Sequence, residues 1–309
     1  MINPDTVIAI RRLRRSLTVW RVVAVVALIV AAVAGLGQFY NPWPDAYVAR
    51  ISVSGIILDD SERLEALAEV ATDPAAKALI VSIDSPGGTF VGGDRLYRAI
   101  GKVAEQRPVV AVMGSTGTSA AYMIALASNR IFVNQGTITG SIGVILQTAN
   151  VMGLLDKLGI KPEAVKSGEL KAQPNPLEPF SDKARTATLE VVEDLYRAFV
   201  DMVASERGLS GASLDYVTDG RIFAGTRAID LNLVDAIGGE AAAREWLADV
   251  HNIGVDVPVG DITWGDDTPW GDTWSVAMNV FTSLFGGKPV FSERLNLDGV
   301  MSVWHASDL

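Results

Sequence analysis

Between Lys77 and Asp84 the chain reads KALIVSID, an almost unbroken apolar run of strand length. A strand that is apolar at nearly every position must be covered on both faces, which is the condition inside a parallel sheet with helices on either side. The neighbouring segments agree. Tyr47–Leu58 alternates and is rich in β-branched residues, as a strand is. Ser61–Ala71 puts Leu64, Leu67 and Val70 on one helical face, Val91–Gln106 is helical, Pro108–Met113 is a strand, and Ser119–Ser128 is a helix of small residues. Arg130–Asn134, Ser141–Gln147 and Ile160–Val165 read as further strands, with a short helix over Gly153–Leu158. This alternation predicts an α/β fold built on a mostly parallel sheet flanked by helices. The strongest helix is Ser181–Arg207, capped by Ser181, with Asp182 in its first turn and Leu189, Val192, Leu195, Tyr196, Phe199 and Val203 as an apolar stripe.

One segment stands outside this pattern. Val22–Gly37 (VVAVVALIVAAVAGLG) carries no charge, and with Val19 and Trp20 it approaches the lower limit of about 18 residues for a membrane-spanning helix. Residues 1–21 hold five Arg and one Asp, whereas the remainder holds 21 basic and 35 acidic residues. The positive-inside rule therefore puts a basic arm, 1–21, in the cytoplasm, a signal-anchor helix over 22–38, and the acidic bulk outside. That is a single-pass protein of the inner (plasma) membrane with its main domain on the periplasmic side. Ala32-Val33-Ala34 also satisfies a signal-peptidase site, and cleavage there exports the same remainder. A helix buried in a soluble domain is the third reading, and the flanking arginines count against it.

Composition limits the chemistry. The formal net charge of -10 disfavours nucleic acid, because phosphate would be repelled. There is no cysteine, which removes disulfides, thiol catalysis and iron–sulfur clusters. His251 and His305 are the only histidines, so an imidazole metal site or a Ser–His–Asp triad has little to draw on. No cofactor or metal is expected. Three places remain. Ser85-Pro86-Gly87-Gly88 follows the buried strand, where glycines free backbone N–H groups for a ligand. Met113–Tyr122 (MGSTGTSAAY) also follows a strand and opens a helix, an environment that suits a nucleophile or an oxyanion but equally suits plain N-capping by Ser115, Thr116, Thr118 or Ser119. Lys171, in VKSGELKAQ, could serve a serine as base where histidine is missing, provided that burial strips its proton; it could equally be a solvated surface lysine.

Taken in order, these pieces resemble the signal peptide peptidase A (SppA) family of membrane-anchored serine proteases in its single-copy form. The matching residues are SPGG at 85–88, Ser119 with Ala120-Ala121-Tyr122, TGSIGV at 139–144, KSGELK at 166–171, Pro179-Phe180 and the stretch Gly220–Asp235. The resemblance covers residues 45–250 and implies a Clp protease/crotonase-like fold. It implies that Ser119 is the nucleophile and Lys171 the general base. It also implies that Gly88 and Ala120 give N–H groups to the oxyanion and that Ser141 orients the lysine. The substrate would be apolar peptide, such as signal-peptide remnants. A lysine reaching the serine of a neighbouring subunit would make a ring-shaped homo-oligomer, an octamer by similarity. The chain departs from the family where Ala120 and Ala121 replace two glycines.

Two other functions stay open from sequence: a catalytically inactive scaffold or adaptor ring, and a crotonase-like acyl-CoA enzyme, which export and the lack of a basic cluster disfavour. Asp84 reads as structural, His251 and His305 as surface residues, and Met113, Met123 and Met152 as core. Residues 255–309 read as a Trp-rich extension for packing or subunit contact, with four of the seven Trp.

Overall fold

The structure, a computed structural model, describes residues 46–264 together with positions 17, 20 and 21. Residues 22–38, where the sequence leads one to expect an anchor, and the Trp-rich sequence after Trp264 lie outside the described residues, as does His305. Among the described residues no helix is long and apolar enough to cross a membrane.

Among the described residues eight strands form one sheet: β1 (Tyr47–Ile57), β2 (Ala76–Gly88), β3 (Val109–Thr118), β4 (Arg130–Val133), β5 (Ile138–Gly140), β6 (Ile222–Ala224), β7 (Ala236–Ile237) and β8 (Val259–Asp261). Their order is β6-β5-β3-β2-β1-β8, with β4 pairing β3 and β7. Every pairing is parallel except β5–β6. The helices are α1 (Ser61–Thr72), α2 (Phe90–Ala104), α3 (Ala120–Ala125), α4 (Met152–Lys157), α5 (Asp182–Arg207), α6 (Gly211–Val217), α7 (Gly225–Asp230) and α8 (Glu240–His251).

The apolar run over 77–84 is explained by two cores. Leu79, Val81 and Ile83 of β2 face a large core closed by Leu67 and Val70 of α1, Leu96 and Ile100 of α2, and Phe199 and Val203 of α5. Ala78 and Ile80 face a second core with Val110, Val112, Phe132 and, from α8, Ala243 and Leu247. Alternate side chains leave a strand on opposite faces, so a strand covered twice needs apolar residues at both parities. Complete burial of one such aliphatic side chain contributes about 1.5–3 kcal/mol. Met113 and Met123 are core residues as expected, whereas Met152 is only half-buried.

The structure corrects several boundaries. Ser141–Gln147 and Ile160–Val165 are not strands; the pairing segment is Ile138–Gly140, just before the first of them. Among the described residues their β-branched side chains have no partner strand, and no residue from Gly143 to Lys183 is buried. The Asp60 carboxylate caps α1 by accepting the Arg63 N–H at 3.1 Å. β8 lies past residue 255, where composition changes, yet it pairs with β1. Arg50 locks that edge by donating to Asp261 at 2.6 Å and to Glu240 of α8 at 3.0 Å.

Candidate active site

β2 and β3 both run further than their apolar cores require, to Gly88 and Thr118, and after a register shift between Ile83 and Ser85 they pair again at Ser85 and Gly117. Their carboxyl ends carry the two turns that sequence singles out, which is where ligands bind in open α/β sheets.

Ser119 follows directly. Its backbone has φ 54 and ψ -124, a conformation that costs a non-glycine residue about 1–3 kcal/mol. The surroundings hold it there: its N–H donates to the Gly140 carbonyl at 2.8 Å, and its carbonyl accepts the Met123 N–H at 3.0 Å. Although Ser119 occupies the N-cap position of α3, its side chain makes no capping hydrogen bond. Among the described residues its hydroxyl has no partner. A sharp strand-to-helix turn that presents an uncommitted hydroxyl is the geometry a nucleophilic serine needs.

The SPGG turn is built against it. The buried Ser85 hydroxyl donates to the Gly55 carbonyl at 2.5 Å and accepts the Gly87 N–H at 3.0 Å. Thr118, also buried, donates its hydroxyl to the Pro86 carbonyl at 3.0 Å. Gly87 has φ 105 and leaves no room for a side chain beside Ser119. Gly88 is equally constrained, because a Cβ there would meet the Ile57 carbonyl oxygen at 1.9 Å.

A cleft of about 860 Å³ opens over these turns. Gly88, Ser119, Ala120 and Ser141 all line it. Ser141 has φ 52 and donates its N–H to the Arg221 carbonyl at 2.8 Å. Ala120 is buried as the first residue of α3, and Gly93 of α2 makes space for it, since a Cβ at Gly93 would stand 3.0 Å from the Ala120 Cβ. The cleft wall is mostly apolar, with Phe90, Met123, Ile142, Leu195, Tyr196 and Phe199 among its members. Asp219 also lines it, and the hydrogen bond from Arg221 holds that carboxyl below the usual carboxylate range.

Lys171 is placed differently. It is exposed, does not line the cleft, and anchors its own loop through an N–H to the Gly168 carbonyl at 3.1 Å. The burial expected of it is therefore not found, because among the described residues nothing covers the segment that carries it. Its amine has no partner among the described residues. The other lysine of KSGELK, Lys166, is committed to Glu178. Asp84 accepts the Thr116 N–H at 3.0 Å, the structural role expected of it, and His251 is exposed. Among the described residues no group of three or more His, Cys, Asp or Glu is arranged to hold a metal ion.

Three features escaped the sequence reading: the close packing of Gly87 on Ser119, the Thr118 hydroxyl bridge, and the use of Leu195, Tyr196 and Phe199 as cleft wall. The last had a signal, since the apolar stripe of α5 is longer than the stretch that packs into the core.

Residues 102–254 match the profile of peptidase family S49. A Synechocystis sp. protein named as a protease is 37% identical over 211 residues, which is 68% of this chain and 76% of that protein. An Enterococcus faecium protein named as signal peptide peptidase SppA is 32% identical over 214 residues, 65% of this chain and 62% of its own length. The chloroplastic serine protease SPPA of Arabidopsis thaliana is 32% identical over 202 residues, 62% of this chain and 29% of that protein. The chain thus spans about three quarters of the first relative and less than two thirds of the other two.

Proposed function

The chain belongs to peptidase family S49, whose members are serine proteases that hydrolyse peptide bonds, and on that premise we propose that it is a membrane-anchored endopeptidase working through Ser119 and Lys171. The observation that carries the reading is the strained, unpartnered Ser119 at the floor of an apolar cleft. The architecture on this reading is of the Clp protease/crotonase kind.

The chemistry follows from the geometry. The Ser119 hydroxyl attacks the scissile carbonyl carbon and passes its proton to the Lys171 amine. The carbonyl oxygen becomes an oxyanion held by the N–H groups of Gly88 and Ala120. Ala120 is the first residue of a helix, so its N–H has no intrahelical acceptor, and replacing the family's glycine with alanine leaves that donor in place. Collapse of the intermediate expels the amine, which takes its proton from the lysine, and water then releases the acyl group by the same steps reversed. Ser141, at the cleft and without a side-chain partner among the described residues, orients the amine.

The lysine comes from a neighbouring copy. Lys171 sits on a segment where Ile145, Leu154, Leu158, Ile160 and Val165 are all exposed. Contiguous exposed aliphatics of this kind mark a contact surface. Packing that segment over the next subunit's cleft would enclose the amine and displace water from it. A closed ring such as an octamer satisfies every copy at once. The substrate is apolar peptide, signal-peptide remnants included, met on the extracytoplasmic face to which residues 22–38 tether the domain.

The test is hydrolysis of a leucine- and alanine-rich fluorogenic peptide by the oligomeric protein. Ser119→Ala and Lys171→Ala should each abolish turnover, and activity that survives both changes refutes the proposal. A second reading, a ring that has kept the fold and lost the chemistry, draws on the exposure of Lys171 in the single chain. Absence of any turnover in the wild-type assembly would favour it.

A further inference from the structure

We infer that Thr118 is a positioning residue that sets the distance between the nucleophile turn and the oxyanion turn; the inference rests on Ser119 being the nucleophile and Gly88 an oxyanion donor. Thr118 precedes Ser119 in the chain and ends β3. Its buried hydroxyl donates to the carbonyl of Pro86, in the turn that leads to Gly88. The same two turns touch through backbone, since a Cβ on Gly87 would stand 2.9 Å from the Thr118 carbonyl oxygen. The Thr118 hydroxyl therefore ties the two turns side to side at the point where a substrate carbonyl would have to be bracketed.

The tie is built on both sides. Ser85 fixes the opposite flank of the same turn, bonding Gly55 of β1 and the Gly87 N–H. The turn carrying Gly88 is thus held from β1 by one hydroxyl and from β3 by another. Ser119 already stores strain, so its turn has an alternative to relax toward if the lateral tie is lost. Displacement of reacting groups by about 1 Å costs on the order of 100-fold in rate. A serine would preserve the donor, whereas a valine would match the shape and remove it. Sequence reasoning counted Thr118 only among N-cap candidates; its hydroxyl instead points across to β2.

The experiment compares Thr118→Val, Thr118→Ser and Ser119→Ala in the full chain with the same fluorogenic apolar peptide, reading kcat, KM and thermal unfolding. Thr118→Val should lower kcat about 10- to 100-fold with little change in KM, and Thr118→Ser should restore most of it. A purely structural role would lower the unfolding temperature in both variants without this split. Should Thr118→Val fail to fold, Thr118→Ala, which adds no bulk, takes its place. Wild-type kcat in the valine variant, or an equal loss in the serine variant, overturns the inference while an inactive Ser119→Ala leaves the nucleophile intact. Turnover by Ser119→Ala overturns the nucleophile assignment and this inference with it.

Discussion

A Cβ on Gly87 would stand 2.9 Å from the Cβ of Ser119 and 2.9 Å from the carbonyl oxygen of Thr118, while φ at Gly87 is 105. Both the backbone conformation and the space exclude a side chain. Gly87→Ala is therefore expected to cost about 1–3 kcal/mol in stability and to lower turnover at least tenfold, because relief of the clash moves Ser119 itself. Denaturant unfolding alongside peptide hydrolysis checks it; a variant with unchanged activity would show that the contact has no bearing on the serine.

Tyr122 anchors the helix that follows Ser119. Its fully buried hydroxyl donates to the Leu233 carbonyl at 2.8 Å, and burial pushes the phenol pKa up. The receiving segment is itself fixed by Arg207, which donates to Asn232 at 2.6 Å and to Asp235 at 2.9 Å. Tyr122→Phe leaves the Leu233 carbonyl without its partner, so the unfolding free energy should fall by about 1–3 kcal/mol. Chemical denaturation measures this directly, and an unchanged midpoint would contradict it.

If the lysine acts across a subunit boundary, two dead variants should revive each other. Ser119→Ala and Lys171→Ala protomers, mixed in equal amounts and reassembled, should regain about a quarter of the wild-type activity, since that share of interfaces pairs an intact serine with an intact lysine. Recovery of nothing in a properly assembled mixture would place both groups in one protomer or remove the lysine from the reaction.

Acid should loosen the β8 edge first. The hydrogen bond from Arg50 holds the Asp261 carboxyl below the ordinary aspartate range. A depressed folded-state pKa gives stability that is fully present above the unfolded value, near 3.9, and is lost as pH falls through the folded one. The Asp261 side chain is 58% exposed, so the contribution is under about 1 kcal/mol. Asp261→Asn should exchange the amide hydrogens of β8 faster than wild type at neutral pH, with the difference vanishing at strongly acid pH. A difference that grows on acidification would reverse the sign of this argument.

The sheet was legible because burial on two faces leaves a mark on composition: Leu79, Ile80 and Val81 cannot be solvated on either side. The segment after Gly140 was misread because β-branching alone does not decide pairing. Val144 and Ile145 have strand character but border a cleft instead of a partner strand. Its place after a strand and before a helix left Ser119 one of four capping candidates, and only the ordered family motifs singled it out; its strain could not be read at all, since serine carries no signature of positive φ as glycine does. Lys171 was legible only as a residue type in a loop. It is exposed among the described residues, and a pattern within one chain would not encode the approach of a second copy. The packing of Gly87 on Ser119 joins residues 32 positions apart through the β2–β3 register, a relationship that local periodicity does not carry.

The most direct measurement is covalent labelling of the assembled protein with a fluorophosphonate probe, with the adduct mapped by mass spectrometry. A single adduct is expected on Ser119 in the wild type, and its loss in Lys171→Ala, because an unactivated hydroxyl does not attack phosphorus at a useful rate. An adduct elsewhere, none at all, or equal labelling without Lys171 would contradict it.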